Sequence, residues 1–229
     1  MSTIEKNIAK VGTRIREAAQ AVDRDPAKVG LLAVSKTQPA SAIRGAFAAG
    51  ARDFGENYLQ EALDKQADLT DLPLVWHFIG PIQSNKTKPI AEHFDWVHSV
   101  DRLKIAQRLS DQRPAELPPL NICLQVNVSG EASKSGCAPE ELNHLAQAVA
   151  AMPRLHLRGL MCIPAPSDGP AEQRAAFARL RTLRDELPLE LDTLSMGMSQ
   201  DLEAAIAEGA TWVRIGTALF GARDYGRPQ

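Results

Sequence analysis

LLAVSKTQP, residues 31–39, decides the fold. Four apolar residues have the length and composition of a buried strand, and a polar turn with a proline follows them. A doubly wound open sheet that binds a dinucleotide wants G-x-G-x-x-G in the turn after its first strand. Here the turn reads SKTQP, with no glycine. That removes the open sheet and leaves a closed barrel. It also puts Lys36 at the end of a buried strand, where it is either a solvated strand end or an amine held there for chemistry.

Outward from this stretch, short apolar or β-branched runs alternate with longer stretches of helical period. Strands are predicted at 29–34, 51–54, 74–79, 94–99, 120–128, 155–163, 191–195 and 212–215. Helices are predicted at 2–23, 39–49, 57–69, 84–92, 101–112, 138–151, 170–187 and 200–208, with a short one after Thr217. Strict alternation of eight strands with helices predicts an α/β fold, a single (β/α)8 TIM barrel domain over residues 1–229 with one extra N-terminal helix. GPIQSNKTKP reads as a helix start capped by Ser84 or Asn85.

The charge balance, 26 basic against 28 acidic residues, points to no nucleic-acid or membrane surface. No apolar run approaches the ~20 residues that a spanning helix needs, and MSTIEKNIAKVG carries no secretory pattern. A cytoplasmic protein is expected. Cys123, Cys137 and Cys162 form neither a disulfide framework nor a zinc knuckle. The five histidines lack carboxylates at the spacing of a ligand set, so no metal is expected.

A barrel places chemistry at the C-terminal ends of its strands and often holds phosphate in the loops after strands seven and eight. LSMGMSQDLEAAI (194–206) runs from strand seven into a helix. Either Ser195, Gly197 and Ser199 prepare an anion site at the helix start, or Ser199 merely caps the helix. RIGTALFG (214–221) supplies Gly216 and Thr217 on the neighbouring strand, which makes a phosphate site the stronger reading of the pair. Arg214 shares a strand face with Trp212. If that face is inward, the guanidinium needs an acceptor, with an ion pair to Glu56 as the plain alternative. Lys36, beside that site in a closed barrel, is then a counter-charge or a Schiff-base lysine for an aldehyde that also carries phosphate. Arg214 favours the second, because a pyridine ring bound this way needs a donor to its nitrogen.

Together AVSKTQP, FGENY (54–58), WHFIGPIQSNK (76–86), SKSG (133–136), LSMGMSQD and VRIGTALFG closely resemble the pyridoxal phosphate homeostasis family. These are single barrels related to the N-terminal domain of alanine racemases, and the resemblance runs to about Gly221. It implies pyridoxal 5′-phosphate (PLP) held covalently as a Schiff base on Lys36. It further implies phosphate contacts from Ser195 or Ser199 and from Gly216 and Thr217, with Arg214 near the pyridine nitrogen. Asn57 and His77 match positions lining the ring. Lys134, in the loop NVSGEASKSGC, is either an exposed lysine or a second amine that briefly accepts the aldehyde.

A PLP lysine raises the question of catalysis. Racemisation needs a second base opposite Lys36. Only Tyr58, expected to pack at the start of its helix, and Tyr225, in the tail RDYGRPQ, are available tyrosines. An arginine on the ring nitrogen makes a weaker electron sink than an aspartate. No catalytic residue is therefore assigned. The expected function is a PLP carrier in homeostasis, with delivery to PLP-dependent apo-enzymes implied by the resemblance alone. With no stretch left for a second domain, a monomer is expected. The rivals are a racemase of low activity and a sugar-phosphate aldolase or isomerase.

Overall fold

A computed structural model describes residues 2–132, 135–167 and 169–221. Its strands are β1 (Gly30–Val34), β2 (Asp53–Glu56), β3 (Val75–Phe78), β4 (Trp96–Val100), β5 (Leu120–Gln125), β6 (Leu155–Met161), β7 (Thr193–Ser195) and β8 (Trp212–Ile215). All neighbours pair in parallel, and β8 returns to β1 to close the barrel. The predicted (β/α)8 barrel is the observed fold.

The helices are α1 (Thr3–Gln20), α2 (Ala40–Ala48), α3 (Leu59–Asp68), α4 (Thr87–His93), α5 (Leu103–Gln112), α6 (Pro139–Ala150), α7 (Pro170–Asp185), α8 (Leu202–Ala207) and α9 (Thr217–Phe220). Local chemistry sets their starts. Ser2 and Glu5 make a reciprocal capping box at α1, and α6 and α7 both open on a proline, whose missing N–H has no helical partner to lose. The expected cap at Ser84 or Asn85 does not form. Ser84–Lys86 is a 3-10 turn, and the Ser84 carbonyl instead accepts from Thr87 Oγ1.

The extra helix has a definite place. Among the described residues β8 is followed only by the four-residue α9, which leaves the eighth position of the outer ring short of cover there. α1 packs against α8, α9 and α2 and fills it. Asn7 donates to the Leu219 carbonyl at 2.8 Å, Arg14 to Ser199 O at 3.1 Å, and Arg24 to the carbonyls of Ile206 and Ala210. The N-terminal helix, with Arg24 just beyond its end, thereby clamps the segments that follow β7 and β8.

The principal core lies between sheet and helices, around Phe54, Ile43, Ile90, Phe94, Ile105 and Phe177. Burying each such side chain contributes roughly 1.5–3 kcal/mol. Inside the barrel are two smaller apolar clusters, Leu32, Val34 and Ile79 with Trp212, and Trp96, Cys123 and Met161 with Val75. Gly30 lies against the Trp212 ring, where any Cβ would overlap the indole. β2 begins and ends two residues later than expected because Gly55, a poor strand former in isolation, faces Leu32 and Ile79 and leaves them room.

Candidate functional site

Alternation along the strands sorts the predicted residues. On β1, Leu32 and Val34 face inward, and the same parity leads to Lys36, which is half-buried. The chain turns sharply there, with Thr37 in the left-handed region at φ 64°, a strained setting for a β-branched residue. Groups outside the sheet hold that turn. Lys65 Nζ donates to the Ser35 carbonyl at 2.8 Å and to Glu56 Oε1 at 2.8 Å, and pairs with Glu61 at 2.6 Å. Glu61 in turn accepts from the Thr37 amide at 2.6 Å, and Ser35 Oγ donates to Glu56. Lys36 is thus flanked by two anchored neighbours. Glu56 is wholly buried with one carboxylate oxygen unpartnered, and burial raises its pKa above the usual carboxylate range against the pull of Lys65.

Glu56 therefore faces outward to Lys65 and is not the partner of Arg214. Arg214 does face inward with Trp212, and is 4% exposed. Its Nη1 donates to Ser195 Oγ and its Nη2 to the Cys162 carbonyl, both at 2.9 Å. Ser195 also lies 2.7 Å from His98 Nδ1. With residue 195 turned into the barrel, its hydroxyl belongs to this interior network. Ser199 is the serine that remains on the outer turn.

That turn is shaped by Gly197, at φ 96° with a would-be Cβ 2.5 Å from Ala205 Cβ, so only glycine fits. Asp201 accepts from the Met198 amide at 2.6 Å. Ser199 stands before α8 and does not cap it, since the helix opens at Leu202 without a side-chain cap. On the next strand, Gly216 packs its backbone against Val34, just below Lys36 in the chain, and Thr217 opens α9.

His77 is fully buried, with Nε2 2.9 Å from Asp53 Oδ1, Nδ1 2.9 Å from His98 Nε2, and its ring stacked on Trp96. Neither ring nitrogen is left for a ligand. Asn57 differs: its Oδ1 is buried and has no hydrogen-bond partner in the protein. Gly80 packs so close to the Asn57 backbone that a Cβ there would collide with it. Tyr58 is 55% exposed and does not pack at its helix start. Lys134 and Tyr225 lie outside the described residues.

His98, Asp53, Lys65 and Glu61 were not recognised in the sequence as parts of this centre. His98 alone left a trace there, by standing two residues after Trp96 on the same strand face.

Chemically, the upper barrel brings together an amine, a buried guanidinium, an unpartnered amide oxygen and small-residue turns beside hydroxyls. Residues 7–224 match the family model described as alanine racemase, N-terminal domain. A relative from Pseudomonas aeruginosa, named pyridoxal phosphate homeostasis protein, is 79% identical over 228 residues, covering 100% of this chain and 99% of the relative. The Escherichia coli K12 protein of the same name is 56% identical over 99% of this chain and its own whole length. The chain belongs to the pyridoxal phosphate homeostasis family. A solved structure within reach of this family, PipY of Synechococcus elongatus with PLP bound, superposes with a TM-score of 0.84. It is 43% identical, and the match covers 95% of this chain and 100% of that one. Among the described residues of this family member, no helix is long and apolar enough to cross a membrane.

Proposed function

We propose that this protein binds PLP through a covalent link to Lys36 and acts as a monomeric carrier in cytoplasmic PLP homeostasis, passing the cofactor to PLP-dependent apo-enzymes. The observation that carries the reading is Arg214: a guanidinium 4% exposed inside the barrel, on the strand paired with the one that leads to Lys36, and held by a hydroxyl and a carbonyl. The names of the two relatives and the PLP-bound neighbour support it from outside the chain.

The residues fit the group. Asn57 Oδ1 is a buried acceptor still lacking a partner, suited to a ligand hydroxyl. Ser199, Gly216 and Thr217 offer hydroxyls and first-turn amides for a phosphate. When bound, PLP supplies an aldehyde whose carbon exchanges its oxygen for an amine nitrogen, with water released.

The protein's own part is to position and restrain. The clasp of Lys65, Glu56 and Glu61 keeps Lys36 presented on its strained turn. Arg214 would donate to the ring nitrogen and has no proton to give up, which disfavours chemistry that needs a protonated ring. Tyr58, at 55% exposure, is not held as a second base opposite Lys36.

The test is the absorbance spectrum of freshly purified protein before and after borohydride, with the modified residue located by mass spectrometry. A visible band trapped on Lys36 and absent from Lys36→Ala is expected. A colourless protein that fails to take up added PLP would return the sugar-phosphate barrel to first place. Sustained interconversion of L- and D-alanine would replace the carrier with a racemase.

A further inference from the structure

Five side chains from five strands form an unbroken hydrogen-bonded line across the barrel interior. Arg214 (β8) reaches Ser195 (β7) at 2.9 Å, and Ser195 reaches His98 (β4) at 2.7 Å. His98 reaches His77 (β3) at 2.9 Å, and His77 reaches Asp53 (β2) at 2.9 Å. The four members from Arg214 to His77 are buried, whereas the Asp53 side chain is 24% exposed where β2 begins.

The ends of the line fix its direction. An arginine only donates, and an ionised aspartate only accepts. Between them lie a serine and two histidines, which when neutral carry one exchangeable proton each. With the arginine N–H these supply one proton to each of the four contacts. Ser195 Oγ–H donates to His98 Nδ1, His98 Nε2–H donates to His77 Nδ1, and His77 Nε2–H donates to Asp53. The opposite polarity would turn a lone pair of His77 toward the Asp53 carboxylate unless an extra proton entered.

We propose that Asp53, His77, His98 and Ser195 form a one-way positioning relay that brings Arg214 its counter-charge through the barrel interior from β2, two strands away around the closed ring. Among the described residues the guanidinium donates to a hydroxyl and a carbonyl, and Asp53 is the carboxylate at the end of its hydrogen-bonded line. Other charged or titratable groups bear on the line without joining it. Asp95 acts on His77, Arg158 lies over the Trp96 ring, and Cys162, Cys123 and Asp201 act on Arg214. Burial holds both histidines below their usual pKa, as two neutral rings require, and the Arg214 charge pushes His98 further down.

The first arm of the test needs no ligand. Long-range 1H–15N spectra of the full-length protein at neutral pH should show His77 and His98 neutral, each with its proton on Nε2. An imidazolium at either position, or a proton on Nδ1 of His98, would overturn the relay.

The second arm rests on the proposed PLP site and reads the visible band of the loaded protein against pH. Asp53→Asn should lower the apparent pKa of that band by about half a unit, because a negative charge that favours the cationic form is gone. Asp53→Glu should restore it. Asp192→Asn, which removes a carboxylate on Arg158 outside the line, should leave it unchanged. Equal shifts in the Asn variants, or none in either, would overturn the proposal. If wild-type protein holds no PLP, the PLP reading fails, and the tautomers still decide the relay.

Discussion

Lys65 Nζ lies 2.8 Å from Glu56 Oε1, with Lys65 7% and Glu56 0% exposed at the side chain. This pair is remote in role from any ligand, yet it governs Lys36, because the same ammonium also holds the Ser35 carbonyl and Glu61, the acceptor for Thr37. A buried pair of this kind is weak evidence of net stabilisation but expensive to break on one side.

Lys65→Met should therefore cost about 3–5 kcal/mol in urea denaturation, since Glu56 would stay buried without its cation. Lys65→Met combined with Glu56→Gln should recover much of that loss. A single variant as stable as wild type would show that Glu56 is already neutral in the folded protein.

The buried histidines predict an acid-sensitive fold. Both His77 and His98 have folded pKa values below the ordinary 6.5, so the unfolded chain takes up more protons there. Their contribution is complete above that value and is lost as pH falls through it, with a limiting slope of about 1.4 kcal/mol per pH unit for each ring. Glu56, raised by burial, works the other way: its contribution is present below 4.5 and lost as pH rises through its folded value. Urea midpoints should fall from pH 7 to pH 5, and less steeply in His98→Gln. A flat profile would contradict two neutral buried rings.

Gly30→Ala tests the barrel filling. The added methyl would overlap the Trp212 ring, and overpacking of this kind costs about 1–3 kcal/mol. Thermal unfolding read by tryptophan fluorescence would detect it, and an unchanged midpoint would mean that the indole has another rotamer to occupy.

Arg214→Lys tests the fork. A guanidinium holds Ser195 Oγ and the Cys162 carbonyl together, whereas an ammonium lacks that planar pair of donors. Equilibrium titration with PLP should show a roughly 10-fold weaker site, equivalent to about 1.4 kcal/mol. Equal affinity would argue that charge alone matters there.

Burial pushes the thiols of Cys123, Cys137 and Cys162 up to about 12. Iodoacetamide at pH 8 should leave the native protein unmodified and label all 3 cysteines in urea. Labelling of Cys137 in native protein would reveal local opening of the loop after β5.

Strand order, helix order and the position of Lys36 were all legible in the sequence, because periodicity and turn chemistry act over a few residues. Inward orientation of Arg214 was readable only as a condition, since alternation says which residues share a face but not which face is inside. The tertiary structure alone joined Ser35 to Lys65 and Glu56, made α1 the cover beside the short α9, and linked Ser195 and His77 in the interior line. Bonded neighbours in that line stand 19 to 97 positions apart in the chain. Barrel closure and strand register bring them within hydrogen-bonding distance, and neither is encoded within any one segment.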